Sequence, residues 1–143
     1  MSSPILAPAA VLVAWTILVL FWMAARRFPA MKQAGIDLSK PLPGGRRGQD
    51  LEGVIPDSAN WIAHNYAHLL EQPTAFYAVC AILAITGSAG GWDLRLAWAY
   101  VGLRVAHSLV QCTVNYVPLR FGLFLLSTFC LLGLTVSALQ ATL

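Results

Sequence analysis

Residues 60–77 read NWIAHNYAHLLEQPTAFY and run without a break into AVCAILAIT, residues 78–86. Two histidines, a glutamate and a proline therefore stand at the threshold of a segment as apolar as any that crosses a bilayer. An unpaired ionised group at that depth costs on the order of 2.5–3.5 kcal/mol or more. Something must answer the charge of Glu71. Inside the other apolar runs one cation offers itself, Arg104, in AWAYVGLRVAHSLVQCTVNY at residues 97–116. The economical expectation is a Glu71–Arg104 pair that satisfies both charges and fixes helix register. Breaking such a pair does far more harm than forming it does good.

Working outward, Asp57 and Ser58 can accept hydrogen bonds from the first free N–H groups of a helix spanning 58–86. Trp61, His64, His68, Glu71 and Ala75 follow three-and-four spacing on one face, with Asn65 beside them. Pro73 leaves the carbonyl of Leu69 without its helical donor, which predicts a kink just beyond Glu71. Gly87, Gly90 and Gly91 break the chain, and a third helix spans 92–114. Its polar residues, Tyr100, Arg104, His107, Ser108, Gln111 and Asn115, form a stripe that must face protein or water rather than acyl chains. Pro118 marks a turn, and a fourth helix, 119–141, is apolar except for Arg120 at its start.

Toward the N-terminus an apolar run covers 4–25 and stops at Arg26-Arg27. No Lys or Arg precedes it, so it reads as a retained span rather than a cleaved signal. Its roughly 22 residues rise about 33 Å, enough for a hydrocarbon core with some tilt. Between it and the second helix lies a loop, 28–57, rich in Pro and Gly. With Arg26 and Arg27 at its entrance, it gathers Lys32, Lys40, Arg46 and Arg47, six of the chain's nine basic residues. Basic loops stay in the cytoplasm. Four spans then put both termini on the outer side and Arg120 on the side of the loop.

Composition agrees. The 143 residues are 58% hydrophobic and 10% charged, against about 25% charged in soluble domains. The expected class is all-α: one integral membrane four-helix bundle occupying 1–143, with no second domain. A net charge of +3 is too small and scattered to point to nucleic acid. Cys80, Cys112 and Cys130 all fall in apolar runs, without zinc or disulfide spacing, and read as reduced packing residues.

Several chemistries compete for the polar groups. His64 and His68, one turn apart, form HxxxHxxE with Glu71, and His107 could add a third nitrogen to a metal. The metalloprotease HExxH is absent and no second cluster exists, so this pattern is weak. Ser108 and His107 are adjacent on a helix and point about 100° apart, which excludes an oriented nucleophile–base pair. Arg120 lies at a helix N-terminus, where backbone N–H groups already favour an anion. It can hold a thiolate, carboxylate or phosphate, or snorkel to lipid headgroups, and position alone does not decide.

On these residues the chain resembles the MAPEG family, the membrane-associated proteins in eicosanoid and glutathione metabolism. HLLEQPTAFY is similar to the family's second-helix signature, with Glu71 in the glutamate's place. LRVAHSLVQCTVNYVPLRFG resembles its third helix and following turn, with Arg104, His107 and Arg120 in order. The resemblance implies a homotrimer that binds glutathione as co-substrate between subunits on the cytoplasmic side. It implies a transferase or peroxidase acting on lipophilic small molecules in the membrane. Arg120 would then stabilise the thiolate, with His64, Asn65, His68, Glu71, Arg104, His107 and Gln111 lining or bracing the cleft. The compact chain reads as a protein of a bacterial inner membrane. There are departures. Where the family's enzymes usually carry an arginine one turn before an asparagine on the second helix, this chain has His64 and His68, and Gln111 stands where tyrosine is common. A non-enzymatic trimer that binds lipid or a partner protein in the same groove is the rival expectation, and a histidine metal site the third.

Overall fold

A computed structural model of the chain describes residues 3–37, 39–40, 44–45 and 47–143. Pro41, Pro43 and Arg46 of the basic loop lie outside the described residues. Every regular element described is helical: α1 Leu6–Gln33, a short 3-10 turn Gly48–Leu51, α2 Asp57–Leu69, α3 Gln72–Thr86, α4 Gly91–Thr113 and α5 Val117–Thr142. Taking α2 and α3 as one interrupted column, the helices form four columns. Three of these, Leu6–Gln33, Asp57–Thr86 and Val117–Thr142, are long and apolar enough to cross a membrane. The fourth, α4, has 23 residues, about 34 Å of helix, and its polar stripe lowers its hydropathy. It packs against α1, α2 and α5.

The core repeats every seven residues. Ile5, Leu12 and Val19 of the first column are buried, as are Ile62, Leu69, Phe76 and Leu83 of the second, and Ser127 and Leu134 of α5. Seven residues in two turns is the repeat of helices that coil left-handedly about one another. On α4 the same interval falls on Ala97, Arg104 and Gln111, all buried. Arg104 thus occupies a core position, and the site grows from that fact. Away from it the packing is apolar: Phe76 stacks on Tyr100 with ring centroids 4.3 Å apart. Where α4 and α5 cross, a Cβ on Gly133 would lie 2.8 Å from Leu96 Cδ1.

Two boundaries differ from the sequence reading. The first helix does not stop at Ala25 but continues through Pro29 to Gln33. A single proline removes one hydrogen bond, and the extension recovers stability through a second apolar cluster in which Ala30 meets Leu51, Ile55 and Ala59. The loop is therefore partly helical and partly docked. Arg27 Nη2 donates to the Gly48 carbonyl at 2.5 Å and to Asn60 Oδ1 at 3.3 Å, while Asn60 Nδ2 donates to the Leu51 carbonyl at 3.2 Å. Farther out, the Ser39 amide and hydroxyl both donate to Asp37 and hold its carboxyl below the usual carboxylate range.

The second difference is larger. The expected single kinked helix over 58–86 is two helices, separated at Leu70 and Glu71. Glu71 has φ −85° and ψ −99°, outside the helical region. Pro73 falls in the first turn of α3, where a missing N–H has no cost. Thr74 ties that turn to the Glu71 carbonyl through its amide at 3.1 Å and its hydroxyl at 2.6 Å. Broken backbone at membrane depth persists only where protein groups satisfy it, and α4 supplies them.

Candidate functional site

The break leaves carbonyls at the end of α2 without donors. Arg104, fully buried on α4, reaches across and its Nη2 donates to the His68 carbonyl at 3.0 Å. A cation at a helix C-terminus also meets the negative end of the dipole. Nη1 lies 3.4 Å from His68 Nε2, and the guanidinium carbon is 5.9 Å from the centre of the Phe124 ring. On the far side of the same imidazole, His68 Nδ1 lies 3.0 Å from Glu71 Oε2.

These partners fix the histidine's tautomer. A carboxylate only accepts and a guanidinium only donates, so Nδ1 carries the hydrogen and the Nε2 lone pair receives Arg104. The direct Glu71–Arg104 pair expected from the sequence is therefore replaced by a bridge. Glu71, whose side chain is 68% exposed, turns out beyond the helix break. His68 spans the gap to the buried cation. The HxxxHxxE residues are not gathered at one point, since His64 and His68 line separate cavities.

His68 packs against His107, ring centroids 5.0 Å apart, and against Phe124 at 5.5 Å. Together with Val117, Arg120 and Phe121 these residues line a cavity of 210 Å³. Arg120 stands in the first turn of α5 and donates through Nη1 to Asn115 Oδ1. Asn115 follows the end of α4 with φ 49°, a left-handed conformation that asparagine adopts more readily than most residues. Its amide donates to the Val110 carbonyl at 2.7 Å. The turn thus ends α4, starts α5 and orients Arg120 by one side chain.

The remaining expected residues divide. Asn65, buried, donates through Nδ2 to Ser108 Oγ at 2.5 Å and ties α2 to α4 one turn from the cavity. Asn65 Oδ1 and Gln111 Oε1 are buried and have no hydrogen-bond partner among the described residues. His64 points the other way. Its Nε2 is 2.5 Å from Glu52 Oε1, and it lines a separate cavity of 380 Å³ that includes Arg27, Arg47, Gly48 and Glu52. Within one copy of the chain the structure thus unites His68, His107 and Arg120 in one cavity, joins Glu71 and Arg104 through His68, and leaves His64 in another place.

The sequence reading missed the aromatic wall of Phe121 and Phe124, and it did not foresee that Arg27 and Asn60 dock the loop. Phe124 stands four residues after Arg120, on the same helix face, and that spacing was the available signal. It also missed the relay in which Tyr100 donates to Gln72 Oε1 at 3.3 Å and Gln72 Nε2 donates to Thr128 Oγ1 at 2.9 Å. Nothing in spacing announces a contact between side chains 56 residues apart.

A buried cation at a helix end, a second cation at a helix start and two imidazoles around an aromatic-walled cavity make a place for an anion with an apolar neighbour. The chain matches the profile of the MAPEG family over residues 5–140. It belongs to that family. No curated protein and no solved structure matches the chain. Membership and three columns long and apolar enough to cross a membrane make it an integral membrane protein. They also set it in a family associated with glutathione-dependent transferase and peroxidase chemistry in membranes.

Proposed function

We propose that this MAPEG protein is a glutathione-dependent transferase or peroxidase acting on lipophilic electrophiles at the cytoplasmic face of the membrane. The observation that carries the reading is Arg120. It sits at the start of α5, held by Asn115, on the wall of the cavity it shares with His68, His107 and two phenylalanines. A cation beside a thiol favours the thiolate, which is the attacking species. The phenylalanines offer the apolar surface that a membrane-soluble electrophile needs.

The cavity is smaller than the roughly 300 Å³ at the low end of ordinary ligand pockets. A tripeptide fits only if a neighbouring chain completes the site, which supports the homotrimer with glutathione between subunits. In this arrangement α4 also crosses the membrane as the third of four spans, loop 28–57 is cytoplasmic and both termini face outward. The basic loop residues and Arg120 then share one side, as the charge rule requires. The host membrane is proposed to be a bacterial inner membrane.

His64 favours one rival. It lies at a position where the family's enzymes usually carry a carboxylate-clamping arginine, and it is engaged with Glu52 instead. A trimer that holds a lipid in the intersubunit groove needs no such clamp. Purified protein assayed with glutathione and a panel of hydrophobic electrophiles decides between them. Thiol-dependent turnover that Arg120→Ala abolishes supports the enzyme. Its absence across the panel, with phospholipid co-purifying, supports the lipid binder.

A further inference from the structure

A third cavity, of 370 Å³, opens between the C-terminal half of α1 and the loop docked against it. Its size falls in the range of roughly 300–1,000 Å³ of ordinary ligand pockets. Leu20, Met23, Ala24, Arg27, Phe28 and Met31 line it from α1, at the three-and-four spacing of one helix face. Ile36, Arg47, Gly48 and Leu51 close it from the loop. The lining is graded along the helix axis. Leu20, Met23 and Ala24 belong to the apolar run that stops at Arg26-Arg27, so they lie at hydrocarbon depth. Arg27 stands about 4.5 Å farther along the helix than Ala24, where a bilayer gives way to its headgroups.

Arg27 is not a free, snorkelling side chain. Its Nη2 is held by the Gly48 carbonyl and Asn60 Oδ1, and its Nε is buried without a partner among the described residues. Arg47, exposed on the loop, lines the same cavity. Both arginines and Gly48 also line the neighbouring cavity that holds Glu52 and His64. An apolar cavity and a polar one therefore share two guanidiniums. Against them stands the single carboxylate of Glu52, which leaves positive charge uncompensated.

We propose that this is a binding site for an anionic phospholipid, with the phosphate between Arg27 and Arg47 and one acyl chain along Leu20, Met23 and Ala24. A guanidinium offers a planar fork that matches a phosphate, and basic pockets at the ends of membrane helices hold anionic headgroups. The apolar wall on the hydrocarbon side selects a lipid over a free phosphate, because only a lipid brings a chain to cover it. The remainder of the headgroup extends toward the polar cavity. None of these residues lines the cavity of Arg120, so the inference stands apart from the thiol reading. Bound in this place, the lipid joins α1 to its own loop.

The test is native mass spectrometry of the delipidated, detergent-solubilised protein titrated with phosphatidylglycerol or with phosphatidylcholine of the same acyl chains. Phosphatidylglycerol is expected to bind about fivefold more tightly, the effect of one unit of charge beside a basic residue at the membrane surface. Arg47→Ala removes an exposed side chain and is expected to weaken phosphatidylglycerol binding about fivefold. Ala24→Trp fills the apolar part without removing either arginine and is expected to weaken it about tenfold. Equal affinity for the two lipids, or unchanged phosphatidylglycerol affinity in either folded variant, overturns the inference. Binding that Arg120→Ala removes and Arg47→Ala leaves intact also overturns it, since the lipid then occupies the other cavity. If Ala24→Trp fails to fold, the comparison of lipids and Arg47→Ala decide.

Discussion

The interrupted α2–α3 column and the α4–α5 hairpin are held by different forces. Along the hairpin, small and apolar groups approach closely, with Leu96 against Gly133. Along the interrupted column, the chain breaks at Glu71 and a buried guanidinium from α4 caps the loose end. The first arrangement resembles a well-packed core, where what matters is volume. The second depends on direction, because a hydrogen bond displaced by an ångström is lost. The cavity lies where the two meet, with His68 from the column and His107, Val117, Arg120, Phe121 and Phe124 from the hairpin.

The sharpest way to break this contrast is Arg104→Ala. It removes the donor to the His68 carbonyl, leaves His68 Nε2 unpartnered and empties a core position. A loss of about 3–5 kcal/mol is expected, read as lower thermal stability in detergent. A variant as stable as the parent contradicts the capping role. On the hairpin, Gly133→Val should cost about 1–3 kcal/mol through overpacking. Combining it with Leu96→Ala should return part of that loss, because the clash is with one flexible side chain. If the two substitutions simply add, the contact is not what limits the crossing.

Smaller effects separate the docked loop from both regions. Asn60→Ala removes the acceptor for Arg27 and the donor to Leu51, with about 1–2 kcal/mol at stake. Limited proteolysis should then cut faster within residues 47–55, and unchanged cutting speaks against the docking. His64→Ala is the mildest. Its bond to Glu52 joins two half-exposed side chains, and such pairs contribute about 0–1 kcal/mol. Its stability should stay close to the parent's.

Much of the architecture was legible because apolar runs and glycine breaks mark membrane helices plainly. The third and fourth helices, expected at 92–114 and 119–141, are found at Gly91–Thr113 and Val117–Thr142. The extension of α1 past Pro29 was not legible, since its stabilisation comes from Leu51 and Ile55 on a loop that sequence alone does not fold back. Pro73 announced a disturbance in the second helix but not its depth. Whether a proline kinks or breaks a helix depends on what satisfies the freed carbonyls, and here the answer lies on α4. The Glu71–Arg104 pairing named the right charges and the wrong contact, for the reading had no means of placing an imidazole between them. The reading named Arg120, His107 and His68, which the structure brings to one cavity, but not that the ring of His68 would lie between Glu71 and Arg104.

The account turns on Arg120 as the cation that receives a thiol in the cavity beside His107. Calorimetric titration of glutathione into the detergent-solubilised protein, with Arg120→Ala alongside, tests this most directly. Saturable binding is predicted for the parent. The variant should bind about 10- to 150-fold more weakly, the loss expected for one charge-assisted hydrogen bond. Absence of binding up to millimolar thiol in the parent, or equal affinity in a folded Arg120→Ala, would contradict it.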